Sequence, residues 1–218
     1  MYKRQLNGLV YFCATDGTSG RELWRTDGTE AGTSLVKDIR EGGDGTEDEF
    51  TRAGKFVYFV GDDDEHSYEV WRTDGTTAGT KRMTDADARP QQLEGAGGKL
   101  FFQDENRLGA ELWASDGSRR GTGVVKDIQP GEGWGSPLGI TQVGASVVFK
   151  ADRRPEVASV WSSDGTARGT KQISDVQPSY YYSRGILFGG DGRNAYFRGT
   201  GPKRTGTELY RAFAGKGS

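Results

Sequence analysis

Few residues in this chain have the types and spacing that chemistry needs. The densest titratable cluster is Asp62-Asp63-Asp64-Glu65-His66, with Asp44 and Glu47-Asp48-Glu49 in the linker before it. Carboxylates beside an imidazole can ligate a cation, so Asp62, Asp64 and His66 are the metal candidates. A solvated acidic loop is the simpler reading of the same run. His66 is the single histidine, so any Ser-His-Asp or Cys-His relay would have to pass through it. Its charged neighbours place it in a loop rather than a pocket. A glycosidase needs two acids facing one sugar. The acids on the segments expected to line a central axis are Glu49 and Glu94, amid Arg4, Gln5, Arg52, Gln142 and Arg184. That lining is mixed and polar, so the expectation is no enzyme. The alternative is an enzyme acting at the central channel, with Glu94 its first candidate.

Two loops carry aromatic residues in a different setting. One is Gln129-Pro130-Gly131-Glu132-Gly133-Trp134-Gly135-Ser136-Pro137, and the other is Gln177-Pro178-Ser179-Tyr180-Tyr181-Tyr182-Ser183-Arg184. Flat apolar rings beside a few directional polar groups suit a sugar or a peptide. Trp134, Tyr180, Tyr181, Tyr182 and Arg184 are therefore the candidate ligand-binding residues. The competing reading is that these rings only cover gaps between packed sheets.

The elements that position these residues come from one phrase. It reads Glu22-Leu23-Trp24-Arg25-Thr26-Asp27-Gly28-Thr29, Glu69 to Thr76, Glu111 to Ser118 and Ser159 to Thr166, and is cut short at Glu208-Leu209-Tyr210-Arg211. The aromatic falls at 24, 71, 113, 161 and 210, in steps of 47, 42, 48 and 49 residues. Repetition at this period means a repeat architecture. Each unit resolves into four short strands. Strand A precedes a Gly turn, as in Phe50-Thr51-Arg52-Ala53-Gly54. Strand B is an aromatic run: Val10-Tyr11-Phe12, Val57-Tyr58-Phe59, Leu100-Phe101-Phe102, Val147-Val148-Phe149 and Ala195-Tyr196-Phe197. Strand C is the phrase, and D is typified by Leu35-Val36-Lys37-Asp38-Ile39 and Val124-Val125-Lys126-Asp127-Ile128. Short turns join A to B and C to D, and the longest connection leads from D to the next A. Antiparallel neighbours need only short turns, so each unit is one meander and the jump to a new sheet follows D.

The expected fold is all-β: a five-bladed β-propeller of four-stranded antiparallel blades. Strand D has no fifth copy, so the last blade is expected to hold three strands. The propeller would occupy 1–213 as one domain, in units of about 1–47, 48–90, 91–137, 138–184 and 185–213, with 214–218 a linker or tag remnant.

Within the phrase, Asp-Gly-Thr-x-x-Gly-Thr is a turn-forming device. The Asp carboxylate bonds backbone two residues on, and Gly tolerates positive φ. The alternative is a repeated cation site. One carboxylate per turn supplies few of the 6–8 oxygens that calcium takes, so no cofactor is expected and calcium is the alternative. The recurring Trp is expected to wedge between sheets, where an aromatic buries roughly 150–250 Å².

The net charge is -2, from 29 basic and 31 acidic residues that interleave. Without a basic stripe, no nucleic-acid partner is expected. Cys13, the single cysteine, lies in an apolar run and reads as a small buried hydrophobe. No run approaches the roughly 18 apolar residues of a membrane helix, so no membrane insertion is expected. Met1-Tyr2-Lys3-Arg4 leads straight into strand-like sequence, without a visible signal peptide.

The phrase, followed in register by Lys-Asp-Ile, resembles the bacterial ELWxxDGT repeat. The third unit matches best, from Glu111 to Thr122 and then Val125-Lys126-Asp127-Ile128-Gln129-Pro130-Gly131. The second unit departs at Met83-Thr84-Asp85, the fourth has Ser159 for Glu, and the fifth stops before Asp-Gly-Thr. The resemblance implies a propeller-like repeat of bacterial secreted or surface proteins, and no established reaction. The functional expectation is a non-catalytic binding or adhesion module at the cell surface or outside the cell, engaging a glycan or a protein through its rim loops. The structural alternative is self-association through the incomplete blade.

Overall fold

The computed structural model describes residues 3–85, 89–130, 134–154, 157–179, 189–201 and 206–213. Every regular element among them is a β-strand. The first sheet holds β1 (Lys3–Leu6), β2 (Leu9–Ala14), β3 (Glu22–Thr26) and β4 (Ser34–Lys37) in that order. The second holds β5 (Thr46–Ala53), β6 (Phe56–Gly61), β7 (Glu69–Thr73) and β8 (Lys81–Arg82). The third holds β9 (Gln91–Ala96), β10 (Lys99–Asn106), β11 (Gly109–Ser115) and β12 (Thr122–Lys126), and the fourth β13 (Leu138–Val143), β14 (Ser146–Arg154), β15 (Val157–Ser163) and β16 (Lys171–Ser174). Each is a meander in sequence order, as the short turns require. The first turn shows why: Asn7 and Gly8 both have positive φ, at 52 and 80°, the mirror-image turn whose twist matches antiparallel strands.

Two expectations about strand limits need correcting. Strand D was expected to run through Asp-Ile, yet β4 stops at Lys37 and β12 at Lys126. The backbone N–H groups of Ile39 and Ile128 leave the ladder to reach buried Glu22 and Glu111. The second correction concerns Gln177 and Pro178, expected in a loop. They form β17 (Gln177–Pro178), which pairs with β19 (Ala195–Thr200) at Gly199 and Thr200.

The fifth sheet also contains β18 (Gly189–Gly190) and β20 (Thr207–Ala212). β20 pairs with β19 along its whole length, while β18 meets it at Ala195 and Tyr196. A strand has two bonding edges, so β17 and β18 share one edge end to end. The sheet is three strand positions wide, with the first position split. Ile186 to Phe188, expected as its first strand, lie outside the described residues, as do 214–218.

The chain divides into two compact units, Met1–Leu100 with Ser115–Thr122, and Phe101–Ala114 with Gly123–Ser218. In the first, Leu6, Tyr11, Cys13, Leu23 and Val36 of one sheet pack with Phe50, Val57, Phe59 and Trp71 of the next. In the second, Val143, Val148, Val160 and Val176 pack with Ala195, Phe197 and Ala212. Burial of such faces is the main stabilising term. Cys13 is buried among them.

Candidate functional site

The repeated Asp-Gly-Thr turns satisfy their own polar groups. Asp27 Oδ1 accepts from the Thr29 N–H at 2.9 Å and from its hydroxyl at 2.7 Å, and Asp74, Asp116 and Asp164 do the same with the residue two further on. The hydroxyl contact to Asp27 and to Asp74 holds both carboxyls below the usual range. A Cβ on Gly32 or Gly79 would lie about 2 Å from the carboxylate, so only glycine fits there. Two of the four repeat Trp residues pack as expected, while Trp24 and Trp113 are half-buried. Trp71 and Trp161 are buried, with Lys37 and Lys126 over their rings at 5.4 and 5.9 Å. The same lysines donate to the carbonyls of Thr80 and Thr170.

The glutamate that opens the phrase has a role that the sequence reading did not assign. Glu22 is fully buried and accepts from the N–H groups of Ile39 at 2.9 Å and Arg40 at 3.2 Å. Glu111, also fully buried, accepts from Ile128 at 3.2 Å and Gly135 at 3.0 Å. Glu69 accepts from the Thr84 hydroxyl. Each carboxylate therefore pins the connection that follows the fourth strand. Burial pushes the carboxyls of Glu22 and Glu111 up to about 7, against the pull of those donors. The signal was present in the sequence: Glu recurs wherever the phrase is followed by a complete fourth strand and loop, except at Ser159, whose hydroxyl takes the Trp161 indole N–H instead.

Trp134 sits on one of these pinned loops. Gly135 is held by Glu111, the Ser136 N–H donates to the Ala110 carbonyl at 2.9 Å, and the Asp152 N–H donates to the Gly135 carbonyl at 2.7 Å. The indole lies against Gly109, where a Cβ would come within 2.4 Å of the ring. Even so, Trp134 is 55% exposed. It is an aromatic surface fixed from below and open to solvent above. Tyr180, Tyr181, Tyr182 and Arg184 lie outside the described residues.

The acidic loop is an ion-pair network. Arg40 reaches Asp62 at 3.4 Å and Asp64 at 2.6 Å. His66 stands between Asp63, at 3.1 Å from Nδ1, and Asp85, at 3.5 Å from Nε2. Arg82 reaches both of those acids, and Arg119 reaches Asp85. Arginine thus occupies Asp62 and Asp64, the proposed ligands, and no group of three ligating side chains occurs among the described residues. Beside this network a recess of about 600 Å³ is lined by Lys37, Arg72, Arg82 and Arg119 around Asp63 and the Trp71 edge. Of the two acids expected to line a channel, Glu49 accepts from the Leu93 N–H at 2.9 Å, so it serves as a backbone acceptor.

No family model matches the chain, and no curated protein matches it. Solved structures do. TolB from Acinetobacter baumannii aligns with 97% of this chain at TM-score 0.52 and 11% identity, and the aligned part is 54% of TolB. A puromycin hydrolase aligns with 98% at TM-score 0.57 and 12% identity, over 37% of its own length. The β-propeller domain of the Trilobed protease from Pyrococcus furiosus aligns with 100% at TM-score 0.53 and 17% identity, over 69% of that chain. Together with the four-stranded antiparallel sheets, these likenesses make the fold a β-propeller type. The chain spans about half of TolB and about a third of the hydrolase. At such identities only the fold is shared.

Proposed function

We propose that this protein is a non-catalytic binding module, a five-bladed propeller of the ELWxxDGT repeat kind, from a bacterial secreted or surface protein. Its ligand is a glycan or a protein held on the rim loops by Trp134, with Tyr180, Tyr181, Tyr182 and Arg184 on the loop at the corresponding place one unit on. One observation carries the reading: Trp134 is exposed on a loop that a buried carboxylate and two further backbone bonds fix in place. A preordered aromatic face loses little entropy on binding, which is what sugar and peptide recognition require. Of the acids named for the enzyme alternative, Glu49 is engaged by the Leu93 N–H.

A glycan array followed by titration of each hit tests this. Trp134→Ala is expected to weaken binding at least about tenfold while leaving the urea midpoint within about 0.5 kcal/mol of wild type. Undiminished binding by Trp134→Ala, or the absence of any glycan or surface-protein ligand, removes the aromatic-loop site.

A further inference from the structure

The second unit carries arginines at two places where the other copies do not. Arg82, in β8, stands where the first, third and fourth sheets have Leu35, Val124 and Gln172. Arg119, in the turn between β11 and β12, stands where the other three turns have Glu30, Thr77 and Ala167. The other copies form the same strand and turn without these charges, so the blade itself does not require them.

Both arginines open on the recess of about 600 Å³, together with Lys37, Arg72 and Lys81. Every lining residue belongs to the first compact unit. Across the ladder Arg82 lies opposite Trp71 and Lys81 lies opposite Arg72. Successive side chains alternate between the faces of a strand, so cations reach the recess from both sides of β8, the last strand of its sheet. Among the described residues, five cations of the lining face one carboxylate, Asp63, in a chain whose net charge is -2.

The acids nearby do not use these cations well. Arg82 reaches Asp63 at 3.4 Å and Asp85 at 3.5 Å, and Arg119 reaches Asp85 at 3.3 Å. A good charge-assisted N–H···O bond closes to about 2.7–2.9 Å. Elsewhere in the chain Arg40 meets Asp64, and Arg89 meets Glu47, at 2.6 Å. The Arg72 guanidinium lies 3.9 Å from the centre of the Phe56 ring. Neither Arg72 nor Lys81 forms an ion pair among the described residues. The recess therefore holds donors in surplus.

A guanidinium fork matches the paired oxygens of a sulfate or a phosphate. Such groups offer three acceptor oxygens when esterified, which suits cations converging from several elements. The volume is that of a small-molecule site. Trp71 and Met83, both buried, give it an apolar wall.

We propose that this recess binds a sulfate or phosphate group, free or carried on a small sugar. Arg82, Arg119 and Lys81 hold the oxygens, and the carrier lies along Trp71 and Met83. This site does not rest on the reading of Trp134.

Isothermal titration calorimetry of the full chain at low salt tests it. The titrants are inorganic phosphate, glucose 6-phosphate, glucose 6-sulfate and uncharged glucose. The anions are expected to bind, more weakly as salt rises, and glucose is expected not to bind. Esters held at least about tenfold more tightly than inorganic phosphate identify a carried group, and equal affinities identify the free ion. Arg82→Gln is expected to weaken anion binding at least about tenfold. Lys81→Glu and Arg119→Glu, both at exposed positions, are expected to do the same and decide the matter if Arg82→Gln does not fold. Lys171→Glu, at the place in the fourth sheet that matches Lys81, is expected to change affinity less than about twofold. No anion binding, glucose bound as tightly as its esters, affinity that the three recess variants leave unchanged, or an equal loss in Lys171→Glu overturns the proposal.

Discussion

At the residue scale, the phrase divides its labour between a carboxylate that builds a turn and one that pins a loop. The two respond oppositely to pH. Glu22 and Glu111 have folded pKa values of about 7, above the ordinary 4.5. Their contribution is complete below 4.5 and is lost as pH rises through about 7. Asp27, Asp74 and Asp116 are shifted down, so theirs is present above the unfolded value and lost as pH falls. Urea midpoints are therefore expected to peak on the acid side of neutrality and to fall between pH 5 and pH 8. Glu22→Gln with Glu111→Gln flattens that fall and changes stability at pH 5 by less than about 1 kcal/mol, since at that pH both groups are neutral acids whose carbonyl oxygen an amide reproduces. A slope unchanged in the double variant counts against the assignment. Gly79→Ala places a methyl about 2 Å from Asp74 and should cost about 1–3 kcal/mol by urea denaturation. A neutral result means the turn relaxes freely.

At the element scale, the repeat links one sheet to the next through its fourth strand. Lys126 on β12 lies over Trp161 and donates to the Thr170 carbonyl at 3.0 Å. Lys126→Met keeps the aliphatic stem and removes the charge. It is expected to cost about 1 kcal/mol, read as a shift in urea midpoint at constant slope. The strand limits were legible in outline because aromatic runs and Gly turns mark β2, β6, β10, β14 and β19 directly. The ends of the fourth strands were not, because the competitor for Ile39 and Ile128 is a glutamate 17 residues earlier in sequence. No local pattern reports that capture.

At the scale of the whole molecule, stability is uneven from sheet to sheet. The second sheet buries Phe56 to Val60 completely, whereas β20 shows Thr207 to Leu209 to solvent. Native-state hydrogen exchange is expected to be slowest in β6 and fastest in β20. Equal protection in the two would mean that β20 is covered in solution. The sheets spend their apolar faces on each other, and Trp134 is left exposed on a loop.

The sequence by itself determined the repeat, the strand order within each unit and the turn chemistry, because these depend on alternation and on glycine and aspartate at fixed local offsets. It also marked Trp134, as the tryptophan that broke the repeat. Only the tertiary structure shows what the loop's side chains meet: Asp62 and Asp64 stand against Arg40, and His66 stands between Asp63 and Asp85. Only it could show that Phe12 is half-buried and Leu209 exposed, although both are written like their buried counterparts. Burial is a property of what packs above a residue, and identical letters in a repeat do not carry it.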